Sequence, residues 1–232
     1  MDLNTILFAL GGGVLPSIAW LWFWLREDRK HPEPTYAIVK AFIAGGLAVF
    51  VSVFLEKITK SRIESILSMP AASVAVIASW AAIEEATKFT LAYFSSLKNK
   101  YNDEPIDSMI YMITVALGFA AVENTMFLLN PLIQNKLFES LLTGNLRFLG
   151  ATLLHVLASS VVGAGLALSF NKSKKVKTFA GVLALIFAIV AHFAFNYSIS
   201  ELNIDLMRVF AFVWVGLVAL LILFEKVKRI KF

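Results

Sequence analysis

Apolar residues along this chain gather into seven long runs, residues 3–25, 36–55, 71–97, 108–130, 147–170, 177–197 and 207–224, separated by short polar pieces. As a helix, each run is long enough to cross roughly 30 Å of hydrocarbon. The pattern predicts an all-α fold, a polytopic transmembrane helix bundle of about seven spans. The connecting pieces carry Pro, Asn, Asp and Lys, and two of them, residues 56–68 and 132–145, have the length for short interfacial helices. Asp2 stands before the first run where a secretory signal would carry basic residues, and the run exceeds a signal's apolar region, so it reads as a span. With no internal repeat, linker or low-complexity tract, residues 1–232 read as one integral membrane domain.

Hydrophobic residues make up 59% of the 232 and charged residues 16%, a balance that excludes an ordinary soluble domain. Zero cysteines exclude disulfides, a thiolate nucleophile and a thiolate metal site. The net charge of +5 does not point to nucleic acid, because the Lys and Arg residues sit in short loops and at the C-terminus rather than on one face. Their placement predicts orientation instead. Arg26, Arg29 and Lys30 follow the first run, Lys98 and Lys100 the third, Lys172, Lys174 and Lys175 the fifth, and Lys226, Lys228, Arg229 and Lys231 close the chain. Lys57, Lys60 and Arg62 after the second run point the other way, but the balance favours an outside N-terminus and a cytoplasmic C-terminus. Lys40 lies close enough to a span end to snorkel to the interface.

Several polar residues interrupt the runs: Glu84, Glu85 and Lys88 in the third, Glu123 and Asn124 in the fourth, His155 in the fifth, His192 and Asn196 in the sixth. A charge at the bilayer centre costs about 2.5–3.5 kcal/mol on insertion scales, so three carboxylates and a lysine turned to lipid would cost on the order of 10 kcal/mol. They must face one another or a water-filled hollow. Glu84 and Lys88 are four apart and share a helix face, which predicts their pairing, while Glu85 points about 100° away. His192 and Asn196 lie one turn apart, and Phe119 and Phe127 flank Glu123 on its own face. Phe119 reads as packing. Small residues nearby, Gly118, Ala120, Ala121, Gly163 and Gly165, allow close helix approach. With the N-terminus outside, Glu123, His155 and His192 fall in the outer parts of their spans, so the cluster is expected to open outward.

This set suits hydrolysis of an amide: a carboxylate as general base on water, an imidazole to hold the water or protonate the leaving amine, and an asparagine to stabilise the oxyanion. There is no H-E-x-x-H helix, no pair of aspartates within the runs and no serine in a nucleophile elbow. A zinc site of nitrogen and oxygen ligands is the alternative to metal-free chemistry, drawn from His155, His192, Glu123 and one of the paired acids, Glu85 among them. Inward-facing Glu, Lys and His also build proton relays, so a proton- or cation-coupled transporter or channel is the second reading; such a protein tends to show broken helices or repeated halves. A silent membrane scaffold is the third, and the cost of the buried charges argues against it.

The motifs E-E-x-x-K (Glu84, Glu85, Lys88), F-x-x-x-E-N (Phe119, Glu123, Asn124), a histidine in the next run (His155) and H-x-x-x-N (His192, Asn196) resemble the PrsW family of intramembrane proteases. That family is itself distantly similar to the CAAX prenyl endopeptidase superfamily. The loop D-R-K-H-P-E-P, with Asp28, Pro32, Glu33 and Pro34, matches in kind and position. The resemblance implies a bacterial plasma-membrane protease that makes the first, extracytoplasmic cut in a membrane-anchored anti-sigma factor. It further implies Glu84 or Glu85 as the base and His192 with Asn196 as the oxyanion site. Glu123 departs from the superfamily, which has histidine at the corresponding place.

Overall fold

In the computed structural model, which describes residues 2–28, 31–202 and 204–231, the chain is helical throughout its long runs, and no strand forms among those residues. The helices are α1 (Leu3–Leu25), α2 (Thr35–Ile66), α3 (Ala71–Ala92, prolonged by a π-helical turn over Tyr93–Leu97), α4 (Pro105–Ile133), α5 (Leu137–Leu146), α6 (Thr152–Leu168), α7 (Lys174–Ser200) and α8 (Leu206–Val227). Arg29 and Lys30 of the basic loop lie outside the described residues.

Among the described residues six helical segments are long and apolar enough to cross a membrane, with α5 and α6 counting as one continuous stretch. The exception is α3. Every stretch of 18 residues within 71–97 includes Glu84, Glu85 and Lys88, so the third run is held in the bundle by its partners rather than by its hydropathy.

One expected element is absent. Residues 56–68 do not form a separate interfacial helix: α2 continues unbroken to Ile66. Nothing between Leu55 and Ser68 is a helix breaker, Thr59 bonds back to the Leu55 carbonyl within the helix, and the first proline is Pro70. In the other candidate piece, α5 does form. Asn135 ends α4 in the left-handed conformation (φ 58°), which asparagine tolerates. A π-helical turn over Arg147–Ala151 then feeds α5 directly into α6.

The bundle is organised around α4, whose residues are buried without interruption from Pro105 to Ala121. A helix apolar on all sides needs neighbours on all sides, and α1, α2 and α6 supply them. Glycines set the closeness. A Cβ at Gly118 would collide with the Phe42 carbonyl of α2, and one at Gly163 of α6 would meet the Ser108–Met109 backbone at 2.7–2.8 Å. Backbone-to-backbone contact of this kind maximises dispersion where lipid removes the hydrophobic drive between helices. Gly118→Leu is therefore expected to push α2 off α4 and destabilise the protein by about 3 kcal/mol, the upper end for overpacking, since the Cβ is fixed to its helix and the Phe42 atoms it meets are backbone. Denaturant unfolding in micelles measures it.

Facing outward, α2 shows Ile43, Leu47, Phe50 and Phe54, and α8 shows Phe212, Val215, Val218 and Ile222, all at least 54% exposed. These helical-spaced stripes are the lipid-facing surface of the bundle.

Candidate active site

The polar residues of four runs do meet. Glu84, Glu85 and Lys88 come from α3, Phe119, Glu123 and Asn124 from α4, His155 from α6, and His192 and Asn196 from α7. All but Asn196 form one connected network.

Lys88 and Glu85 are both fully buried, and their Nζ and Oε1 atoms lie 2.5 Å apart. This corrects the expected pairing: the lysine takes Glu85, three residues away, rather than Glu84, four away. Both spacings put side chains within reach on a helix, and tertiary partners decide between them. Lys88 also donates to His155 Nδ1 at 3.0 Å and lies over the Phe119 ring at 4.8 Å, so it is drawn to the side of α3 that faces α4 and α6. Phe119 packs as expected, its ring 5.3 Å from the imidazole of His155.

The protons follow from the partners. An ammonium only donates, so His155 Nδ1 accepts from Lys88, and its Nε2–H donates to Glu123 Oε2 at 2.9 Å. On α7, His192 Nδ1 lies 2.7 Å from Glu85 Oε1, which as a carboxylate accepts, leaving Nε2 with a free lone pair. Ser159 donates to the second oxygen of Glu85 at 3.5 Å. Glu85 is thus a hub that holds Lys88 and His192 and does not line the cavity.

Glu84 is placed differently. It is 7% exposed, yet its Oε2 is buried with no hydrogen-bond partner among the described residues. That oxygen lies 3.8 Å from His192 Nε2 and 3.9 Å from His155 Nδ1. A carboxylate oxygen and two imidazole nitrogens therefore converge on one small space, and the rings of the two histidines stand 5.1 Å apart, nearly perpendicular.

Glu123 leads to a residue that sequence reasoning missed. Arg147 places NH2 2.5 Å from Glu123 Oε2 and Nε 2.6 Å from Asn124 Oδ1, and its guanidinium covers the Phe127 ring at 3.9 Å. Asn124 in turn donates to Thr152 at 2.9 Å, tying α4 to α6. Arg147 opens the π-helical turn, whose extra residue per turn alters the direction of side chains across it. The available signal was a lone arginine at the edge of an apolar run, indistinguishable by sequence from an interfacial anchor.

The network floors a cavity of about 930 Å³ lined by, among others, Trp80, Glu84, Glu123, His155, His192 and Asn196. Its walls are the ends of α2, α4 and α7 and the starts of α3, α6 and α8. The cavity therefore opens at the end of the bundle where α1 begins, since Gly12 and Gly13 meet the last third of α4. Asn196, one turn from His192 toward the mouth, lines this space, and its side chain makes no hydrogen bond among the described residues.

The donor set also bears on a metal. Glu84, His155 and His192 offer ligand atoms all within 4.8 Å of one another. One carboxylate with two imidazoles is a set used by catalytic zinc, which leaves a fourth position open. Each histidine turns its outer nitrogen to a carboxylate, His192 to Glu85 and His155 to Glu123, the support that orients zinc-ligating imidazoles. The residues fit such an ion once Lys88 releases His155. The grouping differs from the sequence-level candidates: Glu84 takes the inner position, while Glu85 and Glu123 stand behind the histidines.

No solved structure matches this chain. Among curated proteins it is 32% identical to Protease PrsW of Geobacillus kaustophilus over 133 residues, which span 57% of this chain and 57% of that protein. It is 23% identical to Protease PrsW of Bacillus subtilis over 84% of each chain, and 28% identical to that of Clostridioides difficile over 46% of this chain and 44% of the other. The family model described as PrsW family intramembrane metalloprotease matches residues 33–224, which takes in the whole polar network, and the chain accordingly belongs to the PrsW family.

Proposed function

We propose that this protein is an intramembrane endopeptidase that hydrolyses a peptide bond of a membrane-anchored protein, with Glu84 at the reacting water. The observation that carries it is the unpartnered, buried Glu84 oxygen aimed at two imidazole nitrogens on the floor of an open cavity. A carboxylate kept free of hydrogen bonds in a hollow of this kind is available to take a proton from water. His192 and Asn196, successive along the cavity wall, are suited to the oxyanion and the leaving amine. Glu85 positions His192, and Glu123 with Arg147 positions His155. Family membership favours this over a transporter or a scaffold.

A zinc reading is favoured by a specific observation, the carboxylate behind each histidine. Zinc held by Glu84, His155 and His192 would supply Lewis-acid activation of water and of the scissile carbonyl. The substrate reading is a membrane-anchored anti-sigma factor, cut on the extracytoplasmic side of the bacterial plasma membrane. It is supported by the motif resemblance and by the cavity mouth lying at the end where α1 begins, outside if the lysine and arginine balance orients the bundle.

The test uses purified protein in lipid vesicles with a single-span reporter peptide and product detection by mass spectrometry. Cleavage is expected, and its absence across several membrane-anchored substrates overturns the reading. Adding 1,10-phenanthroline divides the chemistries. Loss of cleavage with recovery on zinc assigns Glu84 as a ligand, and unchanged cleavage assigns it as the base.

A further inference from the structure

At the opposite end of α4 lies a second cluster of acids that the cavity chemistry does not use. Asp28 ends the short turn after α1, Glu33 lies in the loop before α2, and Asp107 is in the first turn of α4. One helix rise per residue puts Asp107 roughly 24 Å along α4 from Glu123.

Two of the acids are half used. Asp107 accepts the backbone N–H groups of Asp103 and Glu104 on Oδ2, at 2.9 and 2.6 Å, which caps α4. Glu33 Oε2 accepts from the Tyr111 hydroxyl. The remaining oxygens of the two aspartates are orphans: Asp107 Oδ1 and Asp28 Oδ2 are buried without a hydrogen-bond partner, in side chains only 1% and 6% exposed. Among the described residues no lysine or arginine pairs with any of the three. Yet one oxygen from each lies within 4.8 Å of the other two. When ionised, three carboxylates at that spacing repel one another, and the orphan oxygens of the two aspartates are shut off from water.

We propose that Asp28, Glu33 and Asp107 bind a hard divalent cation, calcium or magnesium, that fastens the α1–α2 connection to the start of the central helix. The ligands are all oxygen, the preference of hard cations and not of zinc. Calcium–oxygen distances of about 2.3–2.6 Å place three evenly spaced ligand oxygens up to roughly 4.5 Å apart and magnesium–oxygen distances bring them to about 3.6 Å, so of the two ions calcium asks for the smaller adjustment of these side chains. Glu33, half-buried, gives the ion its way in from solvent and leaves positions for water. The site is independent of the cavity and of the reaction proposed there.

The test is direct binding to the full chain in detergent after EDTA treatment and dialysis. Isothermal titration with calcium chloride, then with magnesium chloride, is run beside thermal unfolding. One ion per chain and a saturable rise in the unfolding midpoint with either salt are expected. Both responses should vanish in Asp28→Asn and in Glu33→Gln and persist in Glu84→Gln. Glu33→Gln changes a half-buried loop residue, so it reports even if the buried Asp28→Asn fails to fold. The proposal is overturned if the wild type binds neither ion, if Glu33→Gln binds as the wild type does, or if binding is lost in Glu84→Gln and kept in Asp28→Asn. An unfolding midpoint that rises in Asp28→Asn with no ion bound to the wild type would also overturn it, and would assign the orphan oxygens to a shared proton.

Discussion

Glu84→Gln is expected to cut cleavage of the reporter peptide by roughly 10²–10⁴-fold, the range for removing a general acid–base group. Its unfolding midpoint should stay unchanged or rise, because the substitution removes a buried carboxylate oxygen that no donor satisfies. Glu85→Gln separates the two acids. It leaves Lys88 buried without its counter-charge and loosens His192, so it should lower activity by about 10–100-fold, as loss of an orienting partner does, and lower the unfolding midpoint as well. Steady-state cleavage and thermal unfolding on the same preparations distinguish these outcomes. Full activity in Glu84→Gln would remove it from the reaction.

The acids were conspicuous in the sequence because a charge inside an apolar run has so few places to go. Their individual roles were not. Spacing allows Lys88 to reach either neighbour, and only the position of His155 and Phe119, contributed by other helices, turns it to Glu85. Arg147 stayed hidden for a related reason: an arginine near a span end is ordinary, and the π-helical turn that brings it onto Glu123 leaves no distinct mark in composition. The glycines that admit α2 and α6 to α4 could be read from the chain, whereas the continuation of α2 to Ile66 could not, since its last turns are polar enough to pass for a surface segment. The network itself, drawn from α3, α4, α6 and α7, was legible as a set because each member was costly alone.

Lys88→Met should destabilise the fold by about 3–5 kcal/mol, the effect of stranding one member of a buried ion pair. Glu85 would keep His192 as a donor but lose the ammonium 2.5 Å away, and His155 Nδ1 would lose the hydrogen bond from Lys88. Adding Glu85→Gln to that variant should restore much of the loss, because two neutral side chains of similar volume need no counter-charge. The coupling between the two substitutions, measured by denaturant unfolding in micelles, is expected to be large and favourable, while additivity within about 0.5 kcal/mol would mean that the pair does not act as a unit.

The poor hydropathy of α3 sets an order of events during synthesis. When this segment leaves the ribosome α2 is already made, and it packs along α3, but the polar contacts it brings are few: Ser52 with Thr87, and the Trp80 indole with the Glu56 carbonyl. The imidazole that bonds Glu85 and the two that converge on Glu84 are carried by α6 and α7, translated later. A nascent chain halted near residue 100 would then hold α3 at the translocon or return it to water, and the finished hollow comes into being only when the helix bearing His192 slides in beside it.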